Sequence, residues 1–328
     1  MTADARGERR GAWSGYWAAG ANHSCTGTYG ETYGGSVGAY WRKAFAGLGP
    51  ADRVLDLATG NAVLPRMLLE SRLDSSIACA GVDLSPVSPG WLDELAPAVR
   101  SRIDIRGGVD LARLPFDAGT FDLVTSQYGF EYCDSPDAVA EIARVLRPAG
   151  RVAMVLHHAA GRPAWLAARE SSHLDWLLAP GGFLSAVESL LGPMARAATA
   201  AGREALKRDP AANAARERFN AAQAELASRE GEEGADILFE AREAAMALFQ
   251  SAAAQGVAAA RGRLDALREA YRASRVRLGD LVEHALDEAA VESLRERLSS
   301  QVGRVAAISP IEDQGHLMGW TLELPGTG

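Results

Sequence analysis

The nine residues Val54-Leu-Asp-Leu-Ala-Thr-Gly-Asn-Ala62 join an apolar strand to a turn of small residues, and a helix pattern follows them. Small residues in such a turn let the backbone approach a ligand closely, and the helix start presents free N–H groups. Further along, a second apolar run ends in Gly81-Val-Asp-Leu-Ser85, where the Asp83 carboxylate can accept hydrogen bonds from ribose hydroxyls. The two features together predict a nucleotide-like ligand that contains a ribose.

Short β-rich runs alternate with helix-forming segments around this turn, which is typical of a parallel sheet with crossover helices. The predicted strands are Arg53–Leu57, Ala78–Asp83, Ile103–Arg106, Phe121–Ser126 and Arg151–His157. The predicted helices between them are Asn61–Arg72, Trp91–Arg100 and Pro136–Leu146. Two further strands, Val305–Ser309 and Gly319–Leu324, are predicted near the end of the chain and would complete the same sheet.

The strand signal disappears between about Ala164 and Ser300, where alanine, arginine and glutamate dominate. These residues favour helices, and breaks such as Pro180-Gly-Gly divide them into several. We therefore predict an α-helical insertion over residues 163–300 and a core formed by residues 51–162 and 301–328. Residues 1–50 would form an aromatic-rich lid. The insertion would act as a cap over the site or as the interface of a homodimer.

The composition limits the classes of partner. The chain has 34 basic and 42 acidic residues, a net charge of −8, without the basic excess that contact with nucleic acid requires. Neither a run of about 18 apolar residues nor a secretory signal is apparent. The three cysteines lack the spacing of a metal site or a disulfide framework. We expect a cytoplasmic protein that acts on a small molecule and binds no nucleic acid, membrane or metal.

A third stretch connects the chain to a known family: Val109-Asp-Leu-Ala-Arg-Leu-Pro-Phe-Asp-Ala-Gly-Thr-Phe-Asp-Leu-Val-Thr-Ser126. It closely resembles the class I S-adenosylmethionine-dependent methyltransferases, and the core is similar to the quinone and small-molecule methyltransferases among them. Arg144-Val-Leu-Arg-Pro-Ala-Gly-Arg-Val152 resembles the family's lead into the fifth strand. The resemblance implies an α/β fold with a Rossmann-like, seven-stranded, mostly parallel sheet and a terminal antiparallel hairpin. It also implies S-adenosylmethionine as cofactor and in-line transfer of its methyl group.

The resemblance assigns cofactor-binding residues. Asp56 would orient the turn, Asp83 would bind the ribose, and Gln127 would lie beside the methionine part. Asp110 would accept a hydrogen bond from the adenine amine. The full predicted set is Asp56, Ala58, Gly60, Asp83, Leu84, Asp110, Leu111, Ser126, Gln127 and Tyr33. The turn departs from the family pattern because Ala58 and Ala62 stand where glycine is common.

Candidates for contact with the acceptor come from three places. The aromatic residues of the N-terminal segment would cover the cofactor or, alternatively, pin a helix to the sheet. The loop after the fourth strand lies at the carboxyl edge of the sheet, where α/β proteins bind ligands. His157 and His158 end the fifth strand at this edge, and since neighbouring strand residues face opposite sides, one of them can act as general base. The predicted catalytic residues are His157, Glu131 and Tyr128, and the predicted substrate-binding residues are Tyr29, Trp41 and Tyr132.

Other functional classes fit parts of the sequence. A catalytically silent subunit could bind S-adenosylmethionine and use its helical insertion for assembly. A nicotinamide dehydrogenase would also use a small-residue turn and Asp83, but the chain lacks a clear G-x-G-x-x-G and such an enzyme does not need the Leu114-Pro-Phe segment. Methylation of nucleic acid is disfavoured by the acidic net charge, and methylation of a protein stays open.

Overall fold

The computed structural model of the protein describes residues 3–21, 33–72, 76–133 and 135–327. Its described strands are Arg53–Leu57 (β1), Ala78–Val82 (β2), Ile103–Arg106 (β3), Phe121–Gln127 (β4), Leu146–Leu156 (β5), Ala307–Asp313 (β6) and His316–Leu324 (β7). They form one sheet in the order β3-β2-β1-β4-β5-β7-β6. The β1 to β5 pairs are parallel, whereas β7 runs antiparallel to both β5 and β6. The predicted α/β fold is therefore confirmed.

The fifth strand begins earlier than predicted. The sequence prediction starts it at Arg151 and assigns the preceding Arg-Pro-Ala-Gly to the end of a helix, whereas β5 begins at Leu146. The pairing with β4 changes register between Phe121, which lies opposite Leu146, and Leu123, which lies opposite Arg151. A bulge of this kind accommodates Pro148, which cannot donate a hydrogen bond to the neighbouring strand. The Arg-Pro-Ala-Gly segment, which resembles the end of a helix in the sequence, therefore lies within a strand.

The described residues contain twelve α-helices. They are Ala3–Ala18 (α1), Gly35–Ala46 (α2), Val63–Ser71 (α3), Pro97–Arg100 (α4), Pro136–Val145 (α5), Arg162–Leu178 (α6), Phe183–Ala197 (α7), Ala200–Leu206 (α8), Pro210–Arg229 (α9), Asp236–Gln255 (α10), Val257–His284 (α11) and Glu288–Val302 (α12). The helix predicted over Trp91–Arg100 is divided into a 3-10 turn, Gly90–Glu94, and α4. Pro97 explains the division, because proline is accommodated in the first turn of a new helix but not in the interior of a longer one.

The chain forms two compact units, one of residues 1–165 with 280–328 and one of residues 166–279. The first contains the sheet, and its core includes Val291, Leu294 and Leu298 of α12. Residues 280–300, which the sequence prediction assigns to the insertion, therefore lie in the unit of the sheet. The second unit is helical and has a core of its own, which includes Phe183, Leu238 and Leu264.

One helical stretch, Arg162–Ala197, is long and apolar enough to cross a membrane by length and composition alone. It is not an uninterrupted apolar run, since charged residues such as Arg169 and Asp175 lie within it. Of its most apolar 18 residues, 44% are buried inside the protein. The stretch is divided between α6 and α7, and its residues Leu174, Leu177 and Phe183 lie in the core of the helical unit. Buried core helices pass the same test, so the stretch is weak support for a membrane span.

Candidate functional site

The turn after β1 has a left-handed backbone at three positions. The φ angles are 51° at Ala58, 51° at Gly60 and 60° at Ala62, and Ala62 is the N-cap residue of α3. Such a backbone costs an L-residue about 1–2 kcal/mol and persists where the surroundings enforce it, often at functional sites. The two alanines are therefore compatible with the turn that the sequence predicted, although each holds it under strain.

Gly60 leaves room for α1, which lies directly against it. A Cβ atom at this position would come within 2.7 to 3.0 Å of the Trp17 ring. The side-chain amide of Asn61 donates hydrogen bonds to the carbonyl oxygens of Trp17 (3.0 Å) and Ala21 (2.7 Å). The N-terminal helix is thus fixed over the turn, and we call α1 the roof helix.

Asp83 follows β2 and is buried, with an exposed fraction of 7%. Its carboxylate accepts hydrogen bonds from the backbone N–H groups of Gly60 (2.9 Å) and Ser85 (2.8 Å). Burial raises the pKa of Asp83 above its usual range, although these bonds oppose the rise. Each carboxylate oxygen has more than one lone pair, so Asp83 can accept further bonds from a ribose while it holds the turn.

Asp56, at the buried end of β1, is held by two threonine hydroxyls. The Oγ1 atoms of Thr59 and Thr125 donate to its carboxylate at 2.6 and 2.8 Å. Burial raises the pKa of Asp56 from 3.8 to about 7, the two threonines oppose this rise, and the nearby charge of Asp83 adds to it. Near neutral pH, Asp56 can therefore hold or release a proton.

This pKa predicts how stability varies with pH. Because its pKa of about 7 when folded exceeds 3.8, Asp56 binds a proton in the folded protein at pH values where the unfolded chain has released it. Its contribution is fully present below about pH 4 and is lost as the pH rises through 7, by up to about 1.4 kcal/mol per pH unit. We expect the free energy of unfolding of Asp56→Asn to fall less steeply over this range than that of the wild type. Urea titrations across the range measure this.

A matched control for the pH experiment is Asp93→Asn, which removes one carboxylate from an exposed position of the same unit. It should follow the wild-type pH dependence. If the free energy of unfolding of Asp56→Asn shows the same pH dependence as that of the wild type, folded Asp56 does not bind a proton over this range.

A cavity of about 570 Å³ lies beside these carboxylates. The strands and the segments that follow them contribute Asp56, Ala58, Asp83, Leu111 and Gln127 to its lining. The roof helix contributes Gly7, Arg9, Arg10, Trp13 and Trp17, and further walls come from Tyr33, Leu84, Tyr128 and Tyr132. The volume lies in the range of small-molecule and cofactor sites, which are mostly apolar with a few placed polar groups.

Most of the predicted cofactor residues meet at this cavity, but Gly60, Asp110 and Ser126 do not line it. Asp110 is exposed, and its Oδ1 accepts a hydrogen bond from the N–H of Ala112 at 2.9 Å. Ser126 is buried, and its hydroxyl donates to the carbonyl oxygen of Leu57 at 3.0 Å. Ser126 alternates with Gln127 along β4, so the two side chains leave the sheet on opposite faces and only Gln127 lines the cavity.

The predicted substrate-binding residues are placed differently from one another. Tyr132 lines the cavity. Trp41 is fully buried and does not line it; its indole N–H donates instead to the Oε1 atom of Gln127. The Nε2 atom of Gln127 is buried without a hydrogen-bond partner among the described residues. Trp41 therefore holds a cavity residue in place, and Tyr29 lies outside the described residues.

Tyr128 offers the cavity its ring. Its backbone φ of 52° lies in the left-handed region. Its hydroxyl donates to the carbonyl oxygen of Met318 at 2.8 Å, and its ring stacks on the His157 ring with centroids 4.2 Å apart. The hydrogen bond and the stacking hold this ring in place, so that it forms a rigid wall. Backbone strain such as the left-handed φ of Tyr128 is found at functional sites.

Glu131 and His157 form a buried pair behind that wall. The Oε1 atom of Glu131 accepts hydrogen bonds from the backbone N–H (2.8 Å) and the Nδ1 atom (2.7 Å) of His157, and both side chains have an exposed fraction of 0%. An ionised carboxylate only accepts, so in that state of Glu131 the donor is Nδ1–H of His157. Neither residue lines the cavity, and the role of His157 as general base stays a prediction.

The sequence prediction missed the residues that the roof helix supplies. It named the aromatic segment as a lid but selected Tyr29, Tyr33 and Trp41 from it. Arg10, Trp13 and Trp17 are spaced at i, i+3 and i+7, which places them on one face of a helix. That spacing is the signal in the sequence that could have identified them.

The lining fits S-adenosylmethionine by the chemistry of its donors and acceptors. Asp83 can accept bonds from ribose hydroxyls, and the apolar Leu84 and Leu111 next to it suit the adenine ring. Gln127 offers the unused N–H₂ group near Asp56, where the carboxylate and ammonium of a methionine part need polar partners. The residues present can therefore hold this cofactor.

Comparison with known proteins identifies the domain. A family model described as a methyltransferase domain matches residues 55–154. Demethylmenaquinone methyltransferase of Mycolicibacterium gilvum (strain PYR-GCK) is 38% identical over 117 residues, which are 34% of this chain and 46% of the relative. An uncharacterized methyltransferase of Mycobacterium tuberculosis (strain ATCC 25618 / H37Rv) is 33% identical over 144 residues, 41% of this chain and 56% of the relative. The chain thus spans about half the length of these curated relatives.

Among solved structures, the YcgJ protein of Bacillus subtilis is similar, with 25% identity over 43% of this chain and 59% of that one. Its TM-score of 0.32 is too low to carry an argument about function. The match to the family model, the relatives and the sheet order agree with one another and with the site. Residues 55–154 therefore belong to a class I S-adenosylmethionine-dependent methyltransferase domain, whose cofactor is S-adenosylmethionine.

Proposed function

We propose that the protein transfers the methyl group of S-adenosylmethionine to a small-molecule acceptor by in-line displacement. The observation that carries the proposal is the single cavity that joins Asp83, Asp56 and Gln127 to an aromatic wall and roof. A cavity of about 570 Å³ has room for small ligands and none for a protein or nucleic-acid surface, except for an inserted side chain or base. The demethylmenaquinone methyltransferases among the relatives support a small acceptor.

When bound, the cofactor supplies a methyl group on a positively charged sulfur. The residues of this chain position the reactants. Asp83 would hold the ribose end, and Gln127, which Trp41 holds in place, would donate to the methionine end. The rings of Tyr33, Tyr128 and Tyr132 form a wall that excludes water and presents aromatic faces, which attract cations. Aligning the two reactants supplies a large part of the rate enhancement in such a reaction.

The geometry favours positioning over proton transfer by the Glu131–His157 pair. This pair is enclosed, and the Tyr128 ring stacked on His157 lines the cavity. In our proposal the pair fixes Tyr128, whose ring orients the acceptor. An acceptor that must lose a proton would give it to water or to a second ionisable group of its own.

A second candidate function is a binding subunit without turnover. The contact between Trp17 and Gly60 favours it, because the ring covers the turn on which the methionine part would rest. A closed roof is compatible with a cofactor that is held but not used. The two functions differ in whether methyl transfer accompanies binding.

Titration calorimetry with S-adenosylmethionine and S-adenosylhomocysteine, with NAD as control, tests the proposal. We expect micromolar binding of the first two ligands and none of NAD. Incubation with radiolabelled S-adenosylmethionine and a panel of quinols, phenols and amines then measures transfer. Binding without transfer to any acceptor class would favour the binding subunit, and absence of binding would contradict both functions.

A further inference from the structure

The roof helix is held over the cavity by a carboxylate from a distant part of the chain. Asp280 lies near the end of α11, after the helical unit, and belongs to the unit of the sheet. Its Oδ2 atom accepts hydrogen bonds from Nε of Arg9 (2.7 Å) and from the indole Nε1 of Trp13 (2.7 Å). Both donors line the cavity. One buried carboxylate thus binds two residues of the wall that α1 contributes.

The same contacts extend to the loop after β4. Arg9 also donates to the carbonyl oxygen of Tyr132 at 3.3 Å, and its guanidinium lies 5.6 Å from the centre of the Tyr132 ring. The Trp13 and Tyr132 rings meet edge to face, with centroids 5.5 Å apart. Displacement of Arg9 and Trp13 would therefore alter two sides of the cavity together.

Asp280 is suited to hold these donors because it is buried and charged. Its exposed fraction is 6%. Burial raises its pKa, but the hydrogen bonds from His284 and Trp13 and the charge of Arg9 outweigh this effect, so that the pKa lies below its usual value. Charge-assisted hydrogen bonds away from water are stronger than neutral ones, and a buried charge that loses its partners is costly.

A metal ion does not explain this cluster. Asp280, Glu283 and His284 have ligand atoms within 4.8 Å of one another. However, Oδ2 of Asp280 already accepts from Arg9 and Trp13, and Oδ1 lies 3.1 Å from Nδ1 of His284. A guanidinium at 2.7 Å would also repel a cation. The donors around Asp280 instead point to a role in holding α1.

We propose that Asp280 is a positioning residue of the cofactor site, which holds the roof helix through Arg9 and Trp13 and thereby makes the segment after the helical unit part of the site. The proposal rests on the proposed function, since the roof is useful only if the cavity binds the cofactor. The long segment between β5 and β6 would then contribute to cofactor binding, a contribution that residues 55–154 alone do not make.

The test compares Asp280→Asn with Glu283→Gln in the full-length protein. Asparagine keeps the shape of Asp280 but removes the charge and offers one acceptor oxygen. Glu283 is exposed on the same helix turn, so its variant removes a nearby charge and leaves Asp280 in place. We expect Asp280→Asn to bind S-adenosylhomocysteine at least tenfold more weakly, and Glu283→Gln to bind like the wild type.

Hydrogen exchange of the ligand-free protein provides a second readout that does not depend on the cofactor. Amides of α1 should exchange at least tenfold faster in Asp280→Asn, whereas amides of α12 and of the sheet should keep their wild-type rates. A general loss of structure would accelerate exchange everywhere. If Asp280→Asn does not fold, Trp13→Phe, which removes the indole donor together with part of the ring, decides by the exchange of the α1 amides compared with those of α12 and the sheet.

The outcomes separate the two proposals. Wild-type exchange in α1 or wild-type affinity for S-adenosylhomocysteine in the Asp280→Asn protein overturns the positioning role. Faster exchange confined to α1 in a protein whose wild type binds no S-adenosylhomocysteine contradicts the proposed function, and with it the positioning role in cofactor binding.

Discussion

Replacement of Glu131 by alanine should lower the free energy of unfolding by about 2 to 6 kcal/mol. The substitution removes the acceptor of two buried donors, the backbone N–H and the Nδ1–H of His157. Each buried donor left without a partner costs about 1 to 3 kcal/mol. Since no exposed surface lies beside either side chain, water cannot easily replace the carboxylate. Equilibrium unfolding in urea, followed by far-UV circular dichroism, measures the change.

Two further variants make this result specific. Glu131→Gln keeps one acceptor oxygen and should lose less stability than Glu131→Ala. Glu292→Ala removes an exposed carboxylate that pairs with Arg295 on the surface of α12, and it should unfold like the wild type. A Glu131→Ala protein as stable as the wild type would contradict the stabilising role of the pair.

The Asp83→Ala protein should bind S-adenosylhomocysteine at least tenfold more weakly than the wild type. The carboxylate would hold the ribose, and it also accepts from the N–H groups of Gly60 and Ser85, which fix the turn and the loop beside the cavity. Hydrogen bonds to a charged group contribute about 1.5 to 3 kcal/mol, which corresponds to about 10- to 150-fold in affinity. Titration calorimetry with S-adenosylhomocysteine measures the change directly.

Asp110→Ala is the matched control. Asp110 is also an acidic residue that follows a strand of the same sheet, and the sequence resemblance assigns it to the adenine amine. In the structure it is exposed and binds the N–H of Ala112. Its variant should keep nearly wild-type affinity. A larger loss of affinity in Asp110→Ala than in Asp83→Ala would mean that Asp110, and not Asp83, is the main acidic partner of the ligand.

The sheet and the turn could be predicted from the sequence because they depend on local patterns. β1 and β3 have the predicted bounds, and Asp83 and Gln127 lie at the cavity as expected. The start of β5 could not be predicted, because a bulge that admits a proline depends on pairing with β4 and not on the residues of β5 alone.

The sequence prediction did not assign the bounds of the roof helix, for a different reason. Its glycines at 7, 11 and 15 lower its intrinsic helix propensity, and none of them has a neighbour that would exclude a side chain. The helix is stabilised by contacts with Asn61 and Asp280, which are remote in sequence. The sequence also could not show that Glu131 and His157 face each other. Both lie at the predicted edge of the sheet, and only the directions of their side chains decide whether they contact each other or the cavity. The predicted homodimer and cytoplasmic location stay predictions.

The order of the strands has a consequence for synthesis of the chain. β5 lies between β4 and β7, and Leu156 pairs with Trp320, which is 320 − 156 = 164 residues later. At about 5 to 20 residues per second, the ribosome needs roughly 8 to 33 seconds to deliver that partner. Until then β5 is an open edge, which can pair with the same strand of another nascent chain. The helical unit is synthesised during this interval. Its length thus determines how long the incomplete sheet of the nascent chain is prone to aggregation.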